Sequence, residues 1–229
     1  MPNPAPYPDF LRLEQALVPF VDASIETEGA HHIKPLHRYI AMRLVIEGGF
    51  PPEDIIPRPP LTITRSGTQR KLRFDNTPIP RSARGEATVI GGLKSKKIDV
   101  VVFKPTVGPV LAISVKGTKK AFRNLTNRME EAIGDSTNLH IMYPGLVYGF
   151  LHILQASRAG APGLLPNDVS INSTGDVTTS LKRYHDVLAG LSGRRLVRDD
   201  YTKYEAVGFA IAERTPSSAS VFGLSLIHI

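Results

Sequence analysis

Two almost continuously apolar runs, Ile98-Asp-Val-Val-Val-Phe103 and Val110-Leu-Ala-Ile-Ser-Val115, flank the turn-prone stretch Lys104-Pro-Thr-Val-Gly-Pro109. Runs this apolar are too short for helices and lack the alternation of a one-sided strand. They therefore read as central strands buried on both faces. Proline and glycine between them favour a tight reversal, hence an antiparallel hairpin. If Phe103 faces Val110, Asp99 falls opposite Ser114, and Lys116 stands one pleat further on the same face. An acid, a hydroxyl and an ammonium then converge at one end of two greasy strands. A buried charge is costly unless it is paired or binds a metal. Asp99 is thus either a structural partner of Lys116 or a metal ligand beside it.

The surrounding pattern is α/β. Helical spacing predicts a helix over Phe10–Ile25, kinked by Pro19, and another from Lys34 to Glu47 that stops at Gly48-Gly49. Residues 51–80 hold seven of the nineteen prolines. They read as an irregular arm with short strands at Leu61–Thr64 and Lys71–Phe74. After a short strand at Ala87–Ile90, broken by Gly91-Gly92, come the two buried strands. A helix follows over Lys120–Ile133, closed by Gly134. Then come a strand at Asn138–Tyr143, an apolar helix at Leu146–Ser157, a helix around Asp176–Leu191 and a strand around Tyr204–Ala212. Strands alternating with helices in this order imply a mixed sheet flanked by helices. One domain over 1–223 is expected: N-terminal helices to residue 50, the proline-rich arm over 51–85, and a core over 86–215. The final Leu224-Ser-Leu-Ile-His-Ile229 looks like translated adapter sequence, so it is set apart as a non-native tail.

Composition narrows the chemistry. The 229 residues include no cysteine, which excludes disulfide scaffolds, thiolate zinc sites, iron–sulfur clusters and cysteine nucleophiles. No run approaches the roughly 18 apolar residues that span a bilayer. The N-terminus lacks the basic and apolar regions of a signal peptide, so a cytoplasmic location without membrane attachment is expected. The net charge is +7, and it is concentrated. Eleven Lys and Arg lie between Arg81 and Arg128 against only Glu86 and Asp99, so this stretch carries +9 and the rest −2. Such a surface attracts polyanions, although a solvated basic face reads the same way.

On the helix after Lys116, Phe122, Leu125, Met129, Ala132 and Ile133 form the apolar stripe. Measured from its centre at 3.6 residues per turn, Glu130 lies at roughly 110° and Glu131 at roughly 150°. Glu130 is therefore expected at the margin of the buried face, with Glu131 in solvent. Arg123 lies two turns earlier, with Asn127 nearby.

Ile98-Asp99 followed by Ile113-Ser114-Val115-Lys116 resembles the PD-(D/E)xK nuclease core, with Ser114 where the second acid usually stands. One branch, type II restriction endonucleases including those that recognise CCGG cores, reads Ser-x-Lys. Its acid has migrated onto the next helix, and here thirteen residues separate Lys116 from Glu130. The resemblance covers about residues 86–145. It implies a restriction-endonuclease-like fold and Mg²⁺-dependent cleavage of double-stranded DNA. Asp99 and Glu130 would hold Mg²⁺, with the Val115 carbonyl completing the shell. Lys116 would act on the attacking water and phosphate, and Ser114 would serve as a hydrogen-bond partner of the acid. Lys119, Lys120, Arg123, Arg128 and Asn127 would contact DNA, with Arg123 foremost in recognition. A homodimer or homotetramer is implied, together with a cognate methyltransferase as a genetic partner.

Other signals are set aside. His31, His32 and His37 lack a convincing carboxylate pattern and read as surface or capping residues. Glu28 and Glu47 read as solvated helix glutamates. Glu86 has a better claim to be an auxiliary acid by proximity. Tyr143, Tyr148 and Phe150 near His152 read as core packing rather than a base-stacking platform. Gly91-Gly-Leu-Lys-Ser-Lys96 lacks the order of a P-loop. The competing classes are a DNA-binding or structural protein whose Asp99–Lys116 contact is only an ion pair, and a repair or junction-resolving nuclease.

Overall fold

The two apolar runs pair as their sequence demands. In a computed structural model that describes residues 12–22, 32–75, 77–119, 125–215 and 219–227, β6 (Val100–Lys104) and β7 (Gly108–Thr118) are antiparallel. Val100 faces Ile113 and Val102 faces Leu111. Asp99, one step before the strand, thus meets the level of Ser114 as expected. Near the turn the register slips by one, so Phe103 faces Pro109 rather than Val110. The slip is a bulge beside the reversal and leaves the pairing at the Asp99 end untouched.

Around this pair a six-stranded mixed sheet runs in the order β1-β6-β7-β8-β9-β10, with β1 at Ile55–Ile56, β8 at Val147–Gln155, β9 at Ala206–Arg214 and β10 at Ala219–Ile227. β7, β8 and β9 are mutually parallel, whereas the outer pairings are antiparallel. β10 runs through four of the six residues that the sequence sets apart as a tail. On one sheet face lie α1 (Leu13–Val21) and α2 (Lys34–Ile46), contributing Leu17, Phe20 and Leu36 against Val115, Ile153 and Ala210. On the other lie α3 (Leu125–Met142) and α4 (Thr179–Gly190), whose Leu139, Leu181 and Leu188 pack on Val101, Ala112 and Tyr148. The architecture is α/β, a mixed sheet flanked by helices. No helix among the described residues is long and apolar enough to cross a membrane.

Two expected elements exchange type. Asn138–Tyr143 is not a strand, because α3 passes through Gly134 and continues to Met142. Glycine inside a helix costs about 1 kcal/mol. Burying a leucine such as Leu139, which is fully covered, returns about 1.5–3 kcal/mol. Packing therefore outweighs the stop signal. Leu146–Ser157 is not a helix but contains β8, flanked on both sides by parallel neighbours. Tyr148, Phe150, His152 and Leu154 alternate toward α3 and α4, which is the period of a strand. A strand covered on both faces is apolar throughout, and that hides its alternation.

The proline-rich arm carries a separate hairpin, β2 (Leu61–Ser66) and β3 (Gln69–Phe74), reversing at Gly67 with φ +58°. A positive φ suits the two-residue turn that matches strand twist, and glycine adopts it without strain. A second hairpin joins β4 (Ala87–Ile90) to β5 (Ser95–Ile98). Its turn is stitched to α3 by Asn138, whose Oδ1 accepts from the Leu93 and Lys94 N–H groups at 2.8 and 3.0 Å. Asn138 Nδ2 donates back to the Lys94 carbonyl at 2.9 Å. A Cβ on Gly91 would lie 2.2 Å from Asn138 Nδ2. Gly91→Ala is therefore expected to destabilise by about 1–3 kcal/mol. A thermal melt should show a Tm lower by roughly 2–4 °C per kcal/mol.

Candidate metal centre

The β4–β5 hairpin explains how two acids distant in sequence meet. Ala87 pairs with Ile98, so the residues just outside the ladder, Glu86 and Asp99, sit side by side at its open end. From the opposite layer α2 presents His37, on the buried ridge that continues through Ala41 and Val45. Ligand atoms of His37, Glu86 and Asp99 all lie within 4.8 Å of one another. His37 Nε2 stands 3.6 Å from Asp99 Oδ1, too far for a hydrogen bond. It is buried with no hydrogen-bond partner. The other carboxylate oxygen, Asp99 Oδ2, accepts from the Val115 N–H at 2.7 Å and more weakly from the Ser114 hydroxyl at 3.4 Å.

Burial acts on both the imidazole and the buried carboxyl of this cluster. Burial pushes the His37 imidazole down to about 4, against the pull of Glu86. It is therefore neutral at ordinary pH, and its contact with Asp99 is not an ion pair. Burial pushes the Asp99 carboxyl up, opposed by the Val115 N–H and the charge of Lys116. An unpartnered buried imidazole nitrogen between two carboxylates fits a divalent cation, since carboxylate oxygens suit hard ions and imidazole adds affinity for first-row transition ions.

The centre opens into a cleft of ≈ 300 Å³ whose walls carry Lys34, Arg38, Arg84 and Lys97. Four cations around two carboxylates can hold an anion against a bound cation.

Several site residues stand elsewhere than the sequence suggests. Glu130 is exposed, whereas Glu131 is the half-buried acid. Glu131 lies 3.5 Å from Lys116, 3.6 Å from Lys96 and 2.7 Å from Arg128. Burial pushes the Glu131 carboxyl up, but Lys116, Arg128 and Lys96 outweigh it and hold it low. The wheel fails because Ile133, counted as apolar stripe, is exposed, whereas Asp135 and Leu139 are buried. The stripe centre thus rotates toward Glu131. Asp135 is there to receive Lys96 at 2.6 Å.

Lys116 is placed as expected on the α3 side, but its ion pair is with Glu131. Asp99 has no lysine partner among the described ion pairs. Val115 donates its N–H to Asp99. Arg128 and Asn127 lie on the exposed side of α3. Lys119 donates to the Asp22 carbonyl at 2.9 Å. Lys120, Arg123, Glu28 and His31 lie outside the described residues. Glu47 is exposed and paired with Arg43, as a solvated helix glutamate should be. Tyr148 and Phe150 are buried in the core, and His152 is locked between the Tyr184 hydroxyl at 2.6 Å and Thr118 Oγ1 at 2.9 Å.

The surface or capping role expected of the histidines does not hold for two of them: His32 is buried and stacked on Phe20, and His37 joins the acids. A legible signal existed, because His37 shares a helical ridge with Ala41 and Val45 and so points inward. Glu86 was equally readable by counting back from the Gly91-Gly92 turn. No family model, curated protein or solved structure matches the chain.

Proposed function

We propose that the chain is a divalent-cation-dependent endonuclease that hydrolyses phosphodiester bonds in double-stranded DNA, in its sharpest form a type II restriction endonuclease. The observation that carries this reading is the His37–Glu86–Asp99 cluster at the base of a cleft walled by four cations. The Asp99…Ser114-Val115-Lys116 pattern adds the resemblance to PD-(D/E)xK nucleases.

In this reading His37, Glu86 and Asp99 hold Mg²⁺ or Mn²⁺. Such a cation, when bound by these residues, would supply Lewis-acid chemistry for phosphodiester hydrolysis. The Val115 N–H and Ser114 hydroxyl orient Asp99, leaving its second oxygen free to face His37. Lys34, Arg38, Arg84 and Lys97 bind and position the phosphate backbone. Lys116, held by Glu131, supplies positive charge beside Asp99 and stabilises the negative charge that develops on the phosphate. Glu131 replaces Glu130 as the helix acid serving the site, and it acts by positioning Lys116. That Lys116 is paired with Glu131 favours this reading over one in which Asp99 merely neutralises a buried lysine. Cutting both strands of a palindrome needs two such sites, so a homodimer is proposed.

The test is digestion of unmethylated phage DNA with Mg²⁺, with Mn²⁺ and with EDTA, alongside Lys116→Ala. Discrete fragments that require the cation and fall by about 10²-fold or more without Lys116 are expected. Intact DNA under every condition, from protein shown to be folded, overturns the reading.

A further inference from the structure

The β2–β3 hairpin forms a two-stranded sheet of its own, outside the main sheet. Its pairing, Thr62 with Arg73, Thr64 with Lys71 and Ser66 with Gln69, divides it into two faces. The inner face anchors it: Leu61 and Ile63 pack with Ala41, Met42 and Val45 of α2, and the Arg70 guanidinium donates to the Val45 carbonyl. The outer face consists of Thr62, Thr64, Ser66, Gln69, Lys71 and Arg73, all exposed. These six side chains have no hydrogen bond or ion pair among the described residues. Every one can donate a hydrogen bond, two are cations, and no carboxylate occurs anywhere from Leu61 to Phe74.

An exposed strand pair usually spreads charges of both signs over its outer face. A ribbon whose every side chain can donate, and whose only charges are positive, is complementary to a dense array of acceptors and negative charge. The B-form major groove has the width to admit a two-stranded ribbon, and its floor and walls supply base-edge acceptors and phosphates. The placement agrees. The strand enters from Pro59-Pro60 and leaves into Asp75 and Thr77, and these residues line two grooves. One of these grooves, ≈ 360 Å³, shares Arg38, Pro57 and Arg84 with that cleft.

We infer that the β2–β3 ribbon is a DNA-reading arm that lies in the major groove of the duplex whose backbone enters the metal cleft, with Gln69, Lys71 and Arg73 making the contacts. This rests on duplex DNA being the substrate. The occupant is B-form duplex rather than double-stranded RNA, whose major groove is too deep and narrow for side chains to read.

The experiment is fluorescence anisotropy in EDTA with a labelled, mixed-sequence DNA duplex of about 40 base pairs, titrated at several salt concentrations, beside an RNA duplex of matching sequence. Lys71→Ala/Arg73→Ala should bind DNA about 10-fold or more weakly. The slope of log affinity against log salt should fall by about one for each phosphate that the variant no longer neutralises. Lys71→Arg/Arg73→Lys should retain binding, and thermal melts of both variants should match the wild type, because the outer face has no bond to the body. Unchanged DNA binding by the alanine variant overturns the arm while leaving the nuclease reading intact. Equal wild-type affinity for the RNA duplex overturns the major-groove placement. A wild type that binds neither duplex and cuts no DNA overturns both readings.

Discussion

Asp99→Asn is expected to reduce cleavage by about 10³-fold, equivalent to about 4 kcal/mol of transition-state stabilisation, while leaving the fold intact. The substitution keeps the shape of the side chain and an oxygen for the Val115 N–H, which Asp99 accepts at 2.7 Å. It removes the charge that burial disfavours, so stability should be unchanged or slightly higher. The loss would fall on the proposed cation, because one of two adjacent carboxyl groups disappears from the His37–Glu86–Asp99 cluster. Calorimetric titration with Mn²⁺ should show the site lost or greatly weakened, and anisotropy in EDTA should show DNA binding retained. A variant that cuts at the wild-type rate would remove Asp99 from the chemistry. One that fails to fold would instead assign it the structural role that the pairing of Lys116 with Glu131 argues against.

The largest loss of stability is expected far from the cleft, at Glu205. This acid precedes β9 and joins three parts of the chain. Its carboxylate accepts from Arg194 Nη1 at 2.5 Å and from the Tyr148 N–H at 2.7 Å, and lies 3.5 Å from His140 Nε2. Arg194 is 3% exposed and also donates to the Pro144 and Val197 carbonyls. Burial pushes the Glu205 carboxyl up, but His140, the Tyr148 N–H and Arg194 outweigh it and hold the carboxyl below its ordinary value. Glu205→Ala leaves a buried guanidinium without its counter-charge, which typically costs about 3–5 kcal/mol. By contrast, the exposed Arg158–Glu213 pair should contribute little, because water screens it. Urea melts of Glu205→Ala and Glu213→Ala should separate the two. The pH dependence has a definite sign. A carboxyl whose folded pKa is depressed contributes its full stability above its unfolded value and loses it as pH falls through the folded one. Acidification below about pH 4.5 should therefore narrow the gap between wild type and Glu205→Ala. A constant gap would show that Glu205 acts by shape rather than charge.

Strand pairing at the site was legible because β6 and β7 are adjacent in sequence, and a turn between apolar runs leaves few registers open. β8 was not, because a strand covered on both faces presents the same apolar run as a buried helix. The misplacing of Glu131 has the same root. Ile133 is apolar yet exposed, and Asp135 is charged yet buried by its bond to Lys96, so hydrophobicity alone turned the wheel the wrong way. His37 comes from a different layer, and only tertiary packing brings it within 4.8 Å of the acids.

The β4–β5 hairpin acts on Glu86 and Asp99 as a clothes peg acts on its jaws. Its closed end is pinned to α3 by Asn138, and its ladder sets how far the open end can spread. The two carboxyl groups are therefore kept adjacent by the backbone itself. A divalent cation, as proposed, would meet two acids already side by side and would not need to draw the chain together around itself.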